Sequence, residues 1–350
     1  MSSSPASARS AASSLDRELS RVASYGPEYG PSLSSHVPMV VEALDRLGFV
    51  DALAPYVTAW TPRLRPLDPV RDAELATFPR LRQRALVEVA TRGPVGALRS
   101  YAARIFPGLH GAAFHGVIRV GHAMRAVSRA PSDITRAELA SALAYAEVRA
   151  GEPLVRGDAS LLGGRESLVD VLESVPATAV SSRGRVGLIT ADFAARVGDG
   201  AELHRALLRV GLPSDPEDLR RALLRAALAL FVRGERHPSA SFVLLHGLTA
   251  TDAVVSLAEH LEPEAARSAL SSMAVALVAL RLAYVVDLPE SAAETPLASE
   301  PFETWVERAV ASGDDHAIKL AAACEEGRRL DPSSREAYVR ALELGVRAFG

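Results

Sequence analysis

Along most of the chain, apolar residues recur every three or four positions, which is the pattern of helices that bury one face. The stripe of His36, Val40, Ala43, Leu44 and Leu47 is one example. Ser and Asp residues precede several of these segments and Gly residues follow them, as helix caps do. The pattern predicts helices over residues 15–23, 34–47, 81–89, 95–105, 109–130, 132–151, 215–234, 237–261, 263–286, 302–311, 314–327 and 334–348.

Between these helices lie stretches with no clear period. Residues 25–36 are rich in Gly and Pro and predict a loop, and residues 51–80, with five prolines, predict an irregular surface segment. Residues 152–212 are the least regular, although 185–190 resemble a short strand, and 287–301 predict another loop. Without a convincing strand pattern or a fixed repeat, we expect an all-α fold with a single large helical domain and a central metal or substrate cavity.

The first fourteen residues are rich in Ser and Ala and lack the apolar core of a secretory signal. We therefore predict a disordered tail over residues 1–14 and a folded domain over residues 15–350.

Composition excludes several functions. Charged residues make up 23% of the chain and nearly balance, at net −3, so nothing points to nucleic acid. The apolar run at 271–283 is interrupted by Arg281 and is too short to span a bilayer. A single cysteine, Cys324, cannot form an internal disulfide and fits the reducing cytoplasm, where we expect the protein.

Lys319 is the only lysine among 39 basic residues. Its survival suggests a position where arginine cannot serve, because a buried lysine can lose its proton and arginine cannot. His316 lies three residues earlier and shares its helical face. Asp314 and Asp315 suit the start of this helix, and Gly327 its end. The alternative is a lone lysine on a solvated face.

Other histidines also fall on apolar or mixed helix faces. They are His36, His115, His122 and His246. His115 and His122 are two turns apart, about 10 Å along a helix, so one ion is not expected to bind both. Facing helices of bundles supply metal sites in this way, and imidazole suits iron, copper, zinc or nickel. No HExxH or compact Cys/His spacing is present, and buried, hydrogen-bonded histidines are the alternative.

Four segments together resemble the questin oxidase-like family. They are LSSHVPMVVEALDRLG, FHGVIRVGHAMRA, SFVLLHGLTATDAV and DDHAIKLAAA, and they span residues 33–323. The family includes Baeyer–Villiger-type oxidases and ring-opening oxygenases of anthraquinones. The resemblance implies a non-heme iron site whose ligands are His36, His115, His246, His316 and a carboxylated Lys319.

The second segment departs from the family, which tends to have a histidine where Arg119 stands and an aromatic residue where His122 stands. We regard Arg119 and His122 as candidates for orienting the substrate or handling a proton. A carbamate forms only from a neutral amine, which burial favours, and arginine cannot form it.

The resulting hypothesis is an iron-dependent mono- or dioxygenase that uses O2 on a small aromatic polyketide resembling an anthraquinone. It would insert oxygen in a Baeyer–Villiger-type reaction or cleave a C–C bond. No dinucleotide fingerprint supports NADPH, although NADPH could bind by another route. The alternatives are a metal-free helical binding protein, such as a polyketide carrier or resistance factor, and a zinc hydrolase. The oligomeric state stays open.

Overall fold

In a computed structural model, the chain forms helices along most of its described length, as the helical pattern of the sequence predicts. The structure describes residues 13–67, 75–155, 159–176, 188–198, 200–234, 238–285 and 300–350, without the side chains of 159, 160 and 238–240. The predicted tail lies almost wholly outside these residues, but Ser13 already caps the first helix. The predicted loop at 287–301 falls mainly outside them.

Fifteen α-helices account for most of the described residues. They are α1 (Ser14–Val22), α2 (Val37–Arg46), α3 (Val50–Trp60), α4 (Phe78–Ile105), α5 (His115–Arg129), α6 (Asp133–Val148), α7 (Leu168–Ser174), α8 (Ile189–Val197), α9 (Ala201–Leu207), α10 (Pro216–Gly234), α11 (Pro238–Ala258), α12 (Pro263–Tyr284), α13 (Phe302–Ser312), α14 (Asp315–Leu330) and α15 (Arg335–Phe349). The all-α, single-domain prediction is confirmed.

The predicted loop at 25–36 contains a small exception to this helical structure. Strands β1 (Glu28–Tyr29) and β2 (Leu33–Ser34) form a two-stranded antiparallel hairpin. Gly30 and Ser32 have positive φ values of 54° and 64°, which let the chain reverse between the strands. The hairpin leads directly into His36 at the start of α2.

Three local predictions were wrong. The segment after residue 50 contains helix α3 despite Pro55, because Leu53, Tyr56 and Val57 share a buried face that packs on α1 and α2. Ile189 and Thr190 begin α8, and therefore do not end a strand. Gly327 does not end α14: it leaves room for Tyr338 of α15, whose Cζ would lie 2.3 Å from a Cβ there.

A central group of four helices organises the core. Helix α11 packs against α5 and α14, and α2 packs against the same two helices. The interior therefore receives side chains from α2, α5, α11 and α14, which come from distant parts of the chain. Helices α4 and α6 cover α5, and α10 and α12 cover α11.

Helices α11 and α12 are long and apolar enough to cross a membrane by length and composition. Most of each lies inside the fold, with 89% of Ser241–Ala258 and 67% of Pro263–Tyr284 buried. Core helices of soluble proteins have the same character. The expectation of no membrane partner stays a prediction.

Candidate metal centre

Four histidines and Lys319 come together among the four central helices. His36 is the residue before α2, His115 begins α5, His246 lies in the middle of α11, and His316 and Lys319 lie on the first turns of α14. All are buried except His316, which is slightly exposed at its edge. We call these five residues, with Asp315, the histidine cluster.

The Nε2 atoms of His36, His115 and His246 face one another, and these three residues form one group that could hold a metal ion, while His36, Asp315 and His316 form a second. The Nε2 atoms of His36 and His115 are 2.6 Å apart, and those of His115 and His246 are 3.2 Å apart. The ring of His316 lies 4.8 Å from that of His36 and 5.4 Å from that of His246, between centroids. Two nitrogens about 2.1 Å from one ion would be roughly 3 Å apart, so these separations are of the size expected at a shared metal.

The Nδ1 atoms point away from this centre and have partners of their own. His115 donates to the carbonyl of Ala112 and His246 to that of Phe242, each at 2.6 Å. A carbonyl oxygen can only accept a hydrogen bond, so Nδ1 carries the proton of each neutral ring. The Nε2 atom is then unprotonated and has a free lone pair. Metal-binding histidines are oriented by such contacts.

Asp315 orients the other two histidines. One of its oxygens lies 2.5 Å from Nδ1 of His36, and the other lies 2.7 Å from Nδ1 of His316. Burial opposes ionisation of this carboxyl, but the two histidines lower its pKa overall. The neighbouring Asp314 accepts from the backbone N–H groups of His316 and Ala317, so it caps α14 and leaves Asp315 free for the cluster.

Electrostatics keep the rings neutral. Burial, reinforced by the charge of Lys319, lowers the pKa of His36 to about 3, and burial lowers the pKa of His115 and His246 well below the ordinary value. Three neutral rings therefore direct lone pairs at one another. Such an arrangement is repulsive without a positive ion between them.

Two further nitrogens of the cluster lack partners. Within the residues that the structure describes, neither Nζ of Lys319 nor Nε2 of His316 has a hydrogen bond, although both are buried. Burial lowers the pKa of Lys319 to about 8, which favours the neutral amine. An unpaired buried polar group is costly, so these atoms fit a bound ion.

Arg119 and His122 lie outside the cluster. Arg119 forms a bidentate ion pair with Glu138 of α6, at 2.7 and 2.9 Å. Nδ1 of His122 lies 2.6 Å from Glu42 of α2, whose other oxygen lies 2.8 Å from Arg129. The roles predicted for Arg119 and His122 are untested, but both side chains are held by carboxylates.

Glu42 and His122 belong to a second group, buried or nearly buried except for Arg129 at its exposed end, which we call the glutamate network. Its members carry opposite charges and lie on the same helices as the cluster. They are Glu42, Arg46, His122, Arg125, Arg129 and Asp252. Sequence reasoning missed this network and the role of Asp315. The position of Asp315 beside His316 was the available signal, and we interpreted it only as a cap.

The structure has a cleft away from the histidine cluster. It has a volume of about 410 Å3, lies between α12 and residues 107, 109, 110, 153–155, 161 and 162, and no member of the cluster lines it. The central cavity stays a prediction.

Comparison of the sequence with protein-family models and with curated proteins gives no match. The resemblance to the questin oxidase-like family is therefore carried by the four segments alone. Those segments supply each histidine of the cluster and Lys319.

Proposed function

We propose that this protein is a non-heme iron oxygenase that acts on a hydroxylated aromatic substrate resembling an anthraquinone. The observation that carries the proposal is the buried group of His36, His115 and His246, whose Nε2 atoms face one another, together with the unpaired nitrogens of His316 and Lys319 on α14. His36, His115, His246 and His316 would hold the metal through Nε2, and Lys319 would complete the set. When bound, iron would supply the redox chemistry that O2 requires.

The chain's own residues prepare this site. The carbonyls of Ala112 and Phe242 keep the protons of His115 and His246 on Nδ1. Asp315 does the same for His36 and His316 from a single carboxylate, and its negative charge favours a cation nearby. The ring of Phe242 packs against that of His316, with 4.6 Å between their centroids, and adds an apolar wall to the site.

Lys319 has a distinct task in this proposal. Its amine is buried, has no hydrogen-bond partner among the described residues and has a lowered pKa. A neutral amine can form an N–C bond to CO2 and release one N–H proton to solvent, which leaves a carbamate whose anionic oxygen suits iron better than a fifth nitrogen does. The resemblance supports this carboxylation and the choice of an aromatic substrate.

The test is the metal content of protein purified without chelators from iron-supplemented cells. We expect one iron per chain in the wild type and in the control variant His204→Ala, whose histidine is exposed on α9. Lys319→Ala and Lys319→Arg should lose the iron and the O2 consumption with hydroxylated anthraquinones.

Each other outcome contradicts part of the proposal. A wild type without metal would favour the metal-free binding protein, and the next experiment would measure affinity for aromatic polyketides. Bound zinc without redox activity would favour a hydrolase. Retention of iron and activity in Lys319→Arg would remove the lysine from the site.

A further inference from the structure

The turn that leads into His115 has an unusual backbone. Ala112, Ala113 and Phe114 are consecutive non-glycine residues with positive φ values of 47°, 53° and 67°. Residues with a side chain disfavour this left-handed region, and such conformations persist only where the surroundings enforce them. We call residues 112–114 the left-handed turn.

This turn sets one contact of the histidine cluster. The carbonyl of Ala112 accepts the Nδ1 hydrogen of His115 at 2.6 Å. Because that carbonyl belongs to the left-handed turn, its direction depends on the disfavoured backbone. If the turn relaxed, His115 would lose the partner that fixes its proton and the orientation of its ring.

Helix α8 holds the turn from one side. The hydroxyl oxygen of Thr190 accepts from the backbone N–H of Ala113 at 3.2 Å. The ring of Phe193, one turn further along α8, lies 6.4 Å from that of Phe114 and 5.8 Å from that of His110. These contacts join α8 to the residues on both ends of the turn.

The opposite side is closed by backbone. A Cβ on Gly111 would lie 1.7 Å from the carbonyl oxygen of Arg149, which follows α6. The N–H of Gly151 also donates to the carbonyl of Gly108 at 2.8 Å. The residues after α6 therefore pack closely against the residue that precedes the turn, and α8 contacts Ala113 in its middle. With both contacts in place, the backbone of the turn has little room to change conformation.

We propose that α8, through Thr190 and Phe193, positions His115 for metal binding by holding the left-handed turn. Thr190 and Phe193 are positioning residues, because they act on the metal ligand through the backbone of residues 112–114. The inference rests on the metal site proposed above. It adds a helix that contributes no ligand and that the four family-like segments do not include.

Thr190→Val tests the inference, because valine keeps the shape of threonine and removes the acceptor. Titration of the metal-free full-length chain with Co2+ should show affinity roughly tenfold weaker than in the wild type, as for other partners behind a metal ligand. The visible absorption of the Co2+ protein should change as well. Thr190→Ser keeps the hydroxyl and should restore both readouts.

Ala113→Gly separates positioning from a general loss of stability. Glycine adopts positive φ without strain, so the substitution relieves one of the three strained residues and the turn depends less on Thr190. We expect Ala113→Gly alone to bind Co2+ like the wild type, and the double variant with Thr190→Val to recover part of the lost affinity. Thermal unfolding of each metal-free variant verifies that it is folded.

The outcomes distinguish this inference from the proposed function. A wild type that binds no Co2+ overturns both. A wild type that binds Co2+, with Thr190→Val unchanged in affinity and absorption, overturns the role of α8 alone. A double variant as weak as Thr190→Val shows that strain in the turn is not the link and also overturns it.

Discussion

The histidine cluster and the glutamate network are built from the same helices and differ in how their charges are matched. Each pair of residues His36 and Glu42, His115 and His122, and His246 and Asp252 lies six or seven positions apart, about two turns. The network pairs carboxylates with arginines and a histidine. The cluster directs nitrogens at one another.

That difference separates structural from functional burial of polar groups. Both oxygens of Glu42 have partners, His122 on one and Arg129 on the other. By contrast, Nζ of Lys319 and Nε2 of His316 have none in the described part of the chain. Atoms of Arg46, Arg125 and Asp252 in the network also lack a hydrogen bond, but each of these groups is held in an ion pair. A buried polar group without a protein partner is expected where a ligand supplies the partner. The comparison therefore predicts opposite responses to substitution in the two regions.

The largest effect should follow from breaking the network. Glu42→Ala leaves His122, Arg46 and Arg129 without their shared carboxylate, and loss of one partner of a buried ion pair typically costs about 3–5 kcal/mol. Urea unfolding of the metal-free protein measures the change. We expect the folded variant to bind the proposed iron as the wild type does, since the ion pairs of Glu42 in the described part of the chain are with Arg46, His122 and Arg129, outside the cluster.

The matched control is Glu217→Gln, which removes a carboxylate that pairs with Arg220 but is 57% exposed. Its cost should stay below about 1 kcal/mol. A Glu42 variant that is folded yet free of iron would place Glu42 in the metal site and erase the distinction between the two regions.

Much of this comparison could be anticipated from the sequence, and part could not. Helical spacing places His36, His115, His246, His316 and Lys319 on inward faces and separates His115 from His122 by two turns. These placements follow from the helical period and from the apolar residues that share each face, which are local properties of the sequence.

The contacts that distinguish the two regions are not local. Asp315 reaches His36, which is 279 residues away, and Glu42 reaches His122 across 80 residues. Arg119 and Glu138 pair because α5 and α6 pack together. Helix α3 was missed because burial of Leu53, Tyr56 and Val57 outweighs the cost of Pro55. Only tertiary packing decides these cases.

Acid should weaken the network by a smaller amount. Burial opposes ionisation of Glu42, but the hydrogen bond from His122 and the charge of Arg46 lower its pKa from 4.5 to about 2. A lowered carboxyl pKa stabilises the fold above pH 4.5, and this stabilisation is lost as pH falls from 4.5 towards 2. At roughly 1.4 kcal/mol per pKa unit, the loss is about 3 kcal/mol.

The measurement compares wild type with Glu42→Gln by urea unfolding at several pH values between 2 and 6. Glutamine does not titrate, so the difference in free energy of unfolding between the two proteins should shrink as pH falls. A difference independent of pH would mean that Glu42 is not ionised in the folded protein.

The smallest of these effects has the opposite sign and comes from the cluster. In metal-free protein, Lys319→Met removes a buried amine without a partner and replaces it with an apolar chain of similar length. An unsatisfied buried polar group costs about 1–3 kcal/mol, so the variant should be more stable by that amount at pH 7. Because burial lowers the lysine pKa from 10.5 to about 8, the penalty is full below pH 8. The gain in stability should therefore fade as pH rises from 8 to 10.5.

Urea unfolding after chelation measures this gain, and Co2+ should then stabilise the wild type more than the variant. A Lys319→Met protein less stable than the metal-free wild type would show that the amine is already satisfied by the chain, and the contrast with Glu42 would no longer hold.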